Sequence, residues 1–293
     1  VLTVSHTYIA THNSIIAVGA NPVLVDVRED DGNMDWVDLE KIRTPKTKAV
    51  MVVHLNGRMA NMNKINAFAE RHGLMVFEDA AQAVCATRDG NRAGVGTTAS
   101  AFSFHWAKVL GGYGEGGAVT TDDDEIARKV RYLRSHGENA KYLCRTGEPR
   151  FIYDHGFGML PDNLQCAVVV AKLPHLAEFI ARRRKIAARY DAGLRGKVPL
   201  ALPDIGAGDV FQNYVVRSEE RDALANYLDS EGIETLISWP IPNHRQPHLK
   251  RLHGYALPVT ERLSETVLSL PMYHMLEDRE VDEVIAAIKS FYD

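Results

Sequence analysis

Cysteine is scarce. Cys85, Cys144 and Cys166 are the only three in 293 residues, an odd number with no Cys-x-x-Cys spacing. That excludes a disulfide framework and a thiolate zinc site, and fits a reducing cytoplasm. No uninterrupted apolar run approaches the ~20 residues that cross a bilayer. Among twelve histidines no His-Glu-x-x-His occurs, and the i, i+4 pair His244/His248 is split by Pro247, which breaks such a helix. No metal site is expected. Also lacking are a Gly-x-Gly-x-x-Gly after the first strand and a Gly-Lys-Ser/Thr P-loop, which excludes a nicotinamide Rossmann enzyme and a P-loop nucleotidase. Charge of one sign is not in excess either: the net charge is −4, so neither nucleic acid nor an anionic membrane is an expected partner. The basic run Arg182–Lys185 has Glu178 nearby and reads as a solvated helix face. The chain opens at Val1, without a methionine or a signal peptide.

What is present is an alternation. Residues 22–27, 49–53, 74–77, 99–104 and 118–120 are short apolar runs bounded by polar or turn residues, as strands buried on both faces require. Between them the pattern predicts helices at Met34–Ile42 and Asn61–His72, the second stopped by Gly73. A further helix is expected from Asp122–Asp124 to about His136. A long one is expected over Asn163–Leu194, broken near Pro174. After Pro199 the texture changes to a strand at 213–217, a helix at 219–231, a proline-rich loop at 240–247 and a final helix at 278–292. The expectation is an α/β domain over residues 1–180 with a mostly parallel sheet, then a smaller α+β domain over 181–293.

Two places carry chemistry. Glu78 and Asp79 end an apolar strand, the edge at which open α/β sheets gather ligands, although a lone acid there often caps a turn. Lys108 follows Phe102, Phe104, His105 and Trp106 and enters the glycine-rich stretch 111–117. Desolvation there disfavours the ammonium and frees an amine for a Schiff base. By itself, a lysine beside glycines is more often a surface loop.

Together with Ser5–Thr11, Val53–Gly57, Glu78–Ala83, Ser103–Gly117, Asp162–Gln165, Gly232–Thr235 and Val267–Pro271, these segments resemble the DegT/DnrJ/StrS aminotransferases along essentially the whole chain. The resemblance implies the aspartate-aminotransferase-like fold (fold type I) and a pyridoxal phosphate cofactor held covalently by Lys108, which also shuttles the proton. It assigns Asp79 to the pyridine nitrogen, where a carboxylate keeps the ring an electron sink. Gln82 is assigned to the ring hydroxyl, Ser103 to the phosphate and Tyr8 to the ring face. It further implies glutamate as donor, a keto-sugar acceptor, most simply nucleotide-linked, in amino-sugar biosynthesis, and a homodimer with shared active sites. A keto-cyclitol acceptor and a non-catalytic regulatory relative stay open. Members with histidine in place of Lys108 dehydrate instead; lysine favours amino transfer. His244, in the proline-rich loop, is a candidate to face the acceptor.

The pattern departs in two places. Where the family carries an Asn and then an Arg, this chain has Gly158 and Leu160. One lost hydrogen bond to a charged group is worth about 1.5–3 kcal/mol, which weakens the hold on phosphate without abolishing it. The family's Gly-Thr phosphate loop precedes the segment that begins here, so about 50–70 further residues are expected upstream.

Overall fold

The computed structural model describes residues 1–138 and 151–293; Cys144 lies outside them. Strands β1 (Leu2–Val4), β2 (Val23–Val25), β3 (Ala49–Val53) and β4 (Met75–Asp79) run parallel. A hairpin of β5 (Thr87–Arg88) and β6 (Asn91–Arg92) follows. Next come β7 (Ala99–Ser103), parallel to β4, and β8 (Gly117–Thr120), antiparallel to β7. The sheet order is β2-β1-β3-β4-β7-β8. The valine-rich strands are sealed on both faces: in β3, Val50 and Val52 on one face and Ala49 and Val53 on the other are all buried, as a parallel sheet flanked by helices demands.

The helices start and stop where their end chemistry allows. Helix α1 (Ala10–Ala17) follows β1. The helix anticipated from Met34 shortens to α2 (Leu39–Ile42), because Val27 and Met34 pair as an antiparallel bridge around Gly32, whose φ is +68°. Helix α3 (Met62–His72) is opened by Asn61, whose side chain accepts from Lys64 N–H, and closed by left-handed Gly73. Helix α4 (Asp124–Leu133) is capped by Asp123 and stops three residues short of His136, since Ser135 leaves to bridge Gly158. Pro174 separates α5 (Asn163–Lys172) from α6 (Leu176–Leu194).

The C-terminal part pairs β9 (Tyr214–Arg217) with β10 (Val267–Leu270) and adds α7 (Arg221–Ser230), α8 (Pro258–Thr266) and α9 (Asp278–Tyr292). Two cores meet along α6: Leu176 and Ile180 belong to the first, Ile186, Tyr190 and Leu194 to the second. Val210, Leu263 and Val267 return to the first core from beyond residue 180. Among the described residues, Asn163–Leu194 reaches the length and hydropathy of a bilayer span. Its second half, however, packs as protein: Arg183 is buried, and Arg182 and Arg189 pair with Asp278 of α9.

His6 and His12 are buried beside the end of β1. Nδ1 of His6 and Nε2 of His12 lack a hydrogen-bond partner among the described residues. Burial pulls both down to about 4, against a weak opposing pull from Asp26 on His6. A depressed histidine binds its proton more readily when unfolded. The stability it confers is therefore complete above about pH 6.5 and is lost as pH falls toward 4, about 3 kcal/mol for each residue. The melting temperature is expected to fall between pH 7 and pH 5, and the slope to flatten in His6→Gln. A wild-type midpoint constant over that range contradicts this.

Candidate active site

Strand β1 has β2 on one side and β3 on the other, so the chain reverses its direction of winding there. In such sheets the crevice beyond the carboxyl ends of these strands receives the ligand. Four chain segments leave the sheet at that edge. They bring Thr7, Tyr8 and Thr11 after β1, His54 after β3, Asp79 and Gln82 at and after β4, and Ser103 and Lys108 at and after β7. All line one cavity of about 750 Å³, the size of a cofactor or substrate pocket.

Lys108 is half-buried, and its amine makes no hydrogen bond or ion pair among the described residues. Burial holds the ammonium below the usual lysine range, and the carboxylates of Asp79 and Glu115 offset part of that effect. Asp79 is fixed from two sides: the Thr11 hydroxyl donates to Oδ2 at 2.6 Å and Ala81 N–H to Oδ1 at 3.2 Å. Asp79 thus caps its own turn and still presents charge to the cavity. Because the Thr11 proton is committed, the Thr7 hydroxyl, 3.0 Å away, donates to Thr11. Gln82 Oε1 accepts from Asn56 N–H at 2.7 Å, which assigns the amide and leaves its NH₂ without a partner among the described residues. Ser103 Oγ accepts from His105 N–H at 3.2 Å, and its own proton has no acceptor among the described residues. Tyr8 is 64% exposed at the rim.

His244 does not join this group. It is fully buried, in a short turn packed on the end of β1. Ser5 Oγ accepts from His244 N–H and gives its own proton to Nδ1, while Nε2 meets Glu261 at 3.0 Å. A ring with both nitrogens engaged in the core is a packing residue, which corrects the expectation of acceptor contact. Gly158 lies in the bridge to Ser135, where a Cβ would come within 2.9 Å of His136 Nε2; Leu160 is exposed.

The parts played by several cavity residues were not anticipated. Thr7 lies ahead of α1 and Thr11 within it, so no helical spacing in the sequence signals that they meet. Glu78 proves to be a buried acceptor, taking hydrogen bonds from His54 Nε2 (2.7 Å), Gly94 N–H (2.9 Å) and the Thr97 hydroxyl (2.7 Å). Burial pushes its carboxyl up, and these donors together overcome that and hold it below the usual range. His54 Nδ1 accepts from Ala60 N–H, so Nε2 carries the proton. The pair anchors the end of β4 that bears Asp79.

Residues 1–289 match the profile of the DegT/DnrJ/EryC1/StrS aminotransferase family. The chain is 40% identical to a "Pleiotropic regulatory protein" of Geobacillus stearothermophilus over 100% of its own length and 78% of that protein. It is 39% identical to the "dTDP-3-amino-3,4,6-trideoxy-alpha-D-glucose transaminase" of Streptomyces venezuelae, over 99% of this chain and 76% of that one. The crystal structure of S. venezuelae DesV superposes with a TM-score of 0.92 at 38% identity, covering 100% of this chain and 78% of that one.

Proposed function

This chain belongs to the DegT/DnrJ/EryC1/StrS aminotransferase family, whose members depend on pyridoxal phosphate, and from that premise we propose that Lys108 carries the cofactor and that the acceptor is a nucleotide-linked keto-sugar. The observation that carries this reading is a desolvated amine, unpaired among the described residues, that shares one cavity with a carboxylate held in place by a threonine.

The residues present fit the cofactor. Asp79 would hold the ring nitrogen as a cation, Gln82 NH₂ would donate to the ring oxygen, Ser103 would donate to the phosphate, and Tyr8 would cover the ring face. When bound, the cofactor supplies an aldehyde that takes up amino groups and a ring that withdraws electrons. The lowered proton affinity of Lys108 raises the share of uncharged amine able to act as nucleophile and to accept and return a proton at the substrate carbon. Thr11 and Thr7 keep the Asp79 carboxylate oriented, and the apolar walls from Met51, Phe77 and Ala101 limit its solvation. Glutamate serves as amino donor.

A nucleotide-linked acceptor is supported by the name of the S. venezuelae relative. A keto-cyclitol is the alternative acceptor. The name of the Geobacillus relative favours a second reading, a regulatory protein without turnover. Incubation with glutamate, pyridoxal phosphate and a panel of nucleotide keto-sugars and keto-cyclitols separates the three. Turnover of nucleotide-linked ketones alone is expected. Turnover of cyclitols alone would move the acceptor, and the absence of a borohydride-sensitive visible band would favour regulation. Thr11→Val, which removes a hydrogen bond to a charged group worth about 1.5–3 kcal/mol, is expected to lower kcat roughly ten- to a hundredfold in a folded protein. Unchanged steady-state kinetics would separate Thr11 from the reaction.

We further propose a homodimer with shared active sites in the cytoplasm. The exposed row Phe151, Ile152, Tyr153, Phe157, Met159 and Leu160 supports an apolar contact between copies. The free thiols of Cys85 and Cys166 fit a reducing compartment.

A further inference from the structure

Lys108 stands on a stretch between β7 and β8 that contains neither helix nor strand. The turn itself supplies Lys108 N–H to the His105 carbonyl at 2.9 Å and Ala107 N–H to His105 Nδ1 at 3.2 Å, and a further hold comes from outside it. Gln212, just ahead of β9, provides it from the C-terminal part: Oε1 accepts from Val109 N–H at 3.1 Å and Nε2 donates to the Ala107 carbonyl at 2.8 Å. These two bonds flank Lys108 on either side, the pairing a neighbouring strand would offer, supplied here by one side-chain amide.

Gln212 is itself built in. The preceding Phe211 adopts φ +48°, a left-handed conformation that is costly for a bulky residue. Gly57 makes room for it: a Cβ there would lie 2.6 Å from Gln212 N and 2.8 Å from Phe211 N. Arg183 of α6 donates from Nη1 to the carbonyls of Phe211 (2.9 Å), Gln212 (3.2 Å) and Met272 (3.0 Å). It is 5% exposed and has no carboxylate partner among the described residues. A buried guanidinium is expensive, and its contacts are spent on holding this turn. The next residue, Asn213, donates to Asn56 Oδ1 at 3.2 Å, and Asn56 N–H in turn fixes the Gln82 amide.

We propose that Gln212, braced by Arg183, is the positioning residue of Lys108 and determines where the amine enters the cavity. This rests on the reading of Lys108 as the cofactor lysine. The test uses the full chain without added cofactor, comparing wild type, Gln212→Met, Gln212→Glu and Arg217→Ala. The last loses an ion pair to Glu29 that also joins the two parts but lies away from Lys108. Amide exchange at Val109 and the pH profile of reductive methylation at Lys108 are both followed by mass spectrometry.

In Gln212→Met, Val109 exchange is expected to rise about two- to tenfold, the worth of one hydrogen bond. The Lys108 profile should move up toward that of free lysine. Gln212→Glu keeps the acceptor for Val109 but loses the donor to Ala107, so it should protect Val109 and still shift Lys108. Arg217→Ala should leave both unchanged. A wild-type Lys108 profile in Gln212→Met overturns the proposal; if that variant does not fold, the same result in Gln212→Glu overturns it. Borohydride fixation of pyridoxal phosphate on wild-type Lys108 is scored separately. Its failure sinks the cofactor reading, whereas an unshifted profile with fixation intact sinks only the role of Gln212.

Discussion

Lys108→Ala is expected to lower kcat for amino transfer by about 10²–10⁴-fold, the usual contribution of a positioned acid–base group, and to abolish borohydride fixation altogether. The alanine removes a side chain that makes no hydrogen bond among the described residues, so the fold has little to lose. Melting within a few degrees of wild type should therefore accompany the lost activity. Peptide mapping checks the covalent part directly: the reduced cofactor should appear on the peptide spanning residue 108 in wild type and nowhere in the variant. Cofactor fixed to a different lysine would refute the assignment.

Asp79→Asn is the second large effect. The amide keeps the size of the carboxylate, but its single oxygen can serve only one of the two donors, the Thr11 hydroxyl or Ala81 N–H, and it cannot hold a cation at the far end of the ring. Removing one preorganised electrostatic partner from a secluded site costs roughly 10²–10³-fold in kcat, and a comparable loss is expected here. Because Asp79 is assigned to the ring and not to the acceptor, KM for the acceptor should move much less than kcat. Stopped-flow measurement of the first half-reaction with glutamate isolates the effect. A variant within twofold of wild type in that step would show that the carboxylate does not serve the ring.

The sheet was legible in the sequence because its strands are buried on both faces, which leaves continuous apolar runs such as Ala49–Val53. Strand β1 escaped because three residues at the start of a chain make no pattern. The β5–β6 hairpin escaped because its residues are polar. The helix from Met34 was overextended because periodicity cannot register the bridge between Val27 and Met34. At the site, the order of motifs pointed to Tyr8, Asp79, Gln82, Ser103 and Lys108, and the structure gathers all five around one cavity. His244 was misjudged because a proline-rich loop says nothing about whether its histidine turns inward to Ser5. Gln212 was invisible for a deeper reason. Its partners lie more than a hundred residues away, and a side chain that grips main-chain atoms leaves no trace in residue type.

Helix α6 belongs to both cores, with Ile180 in one and Ile186 in the other, and Arg183 lies between them in sequence. Neither core can come apart without undoing a helix the other needs. Heating should therefore give a single calorimetric transition with matched calorimetric and van't Hoff enthalpies. A lesion far out on α9 would reach Lys108 as a lower population of intact protein, not as a change in chemistry.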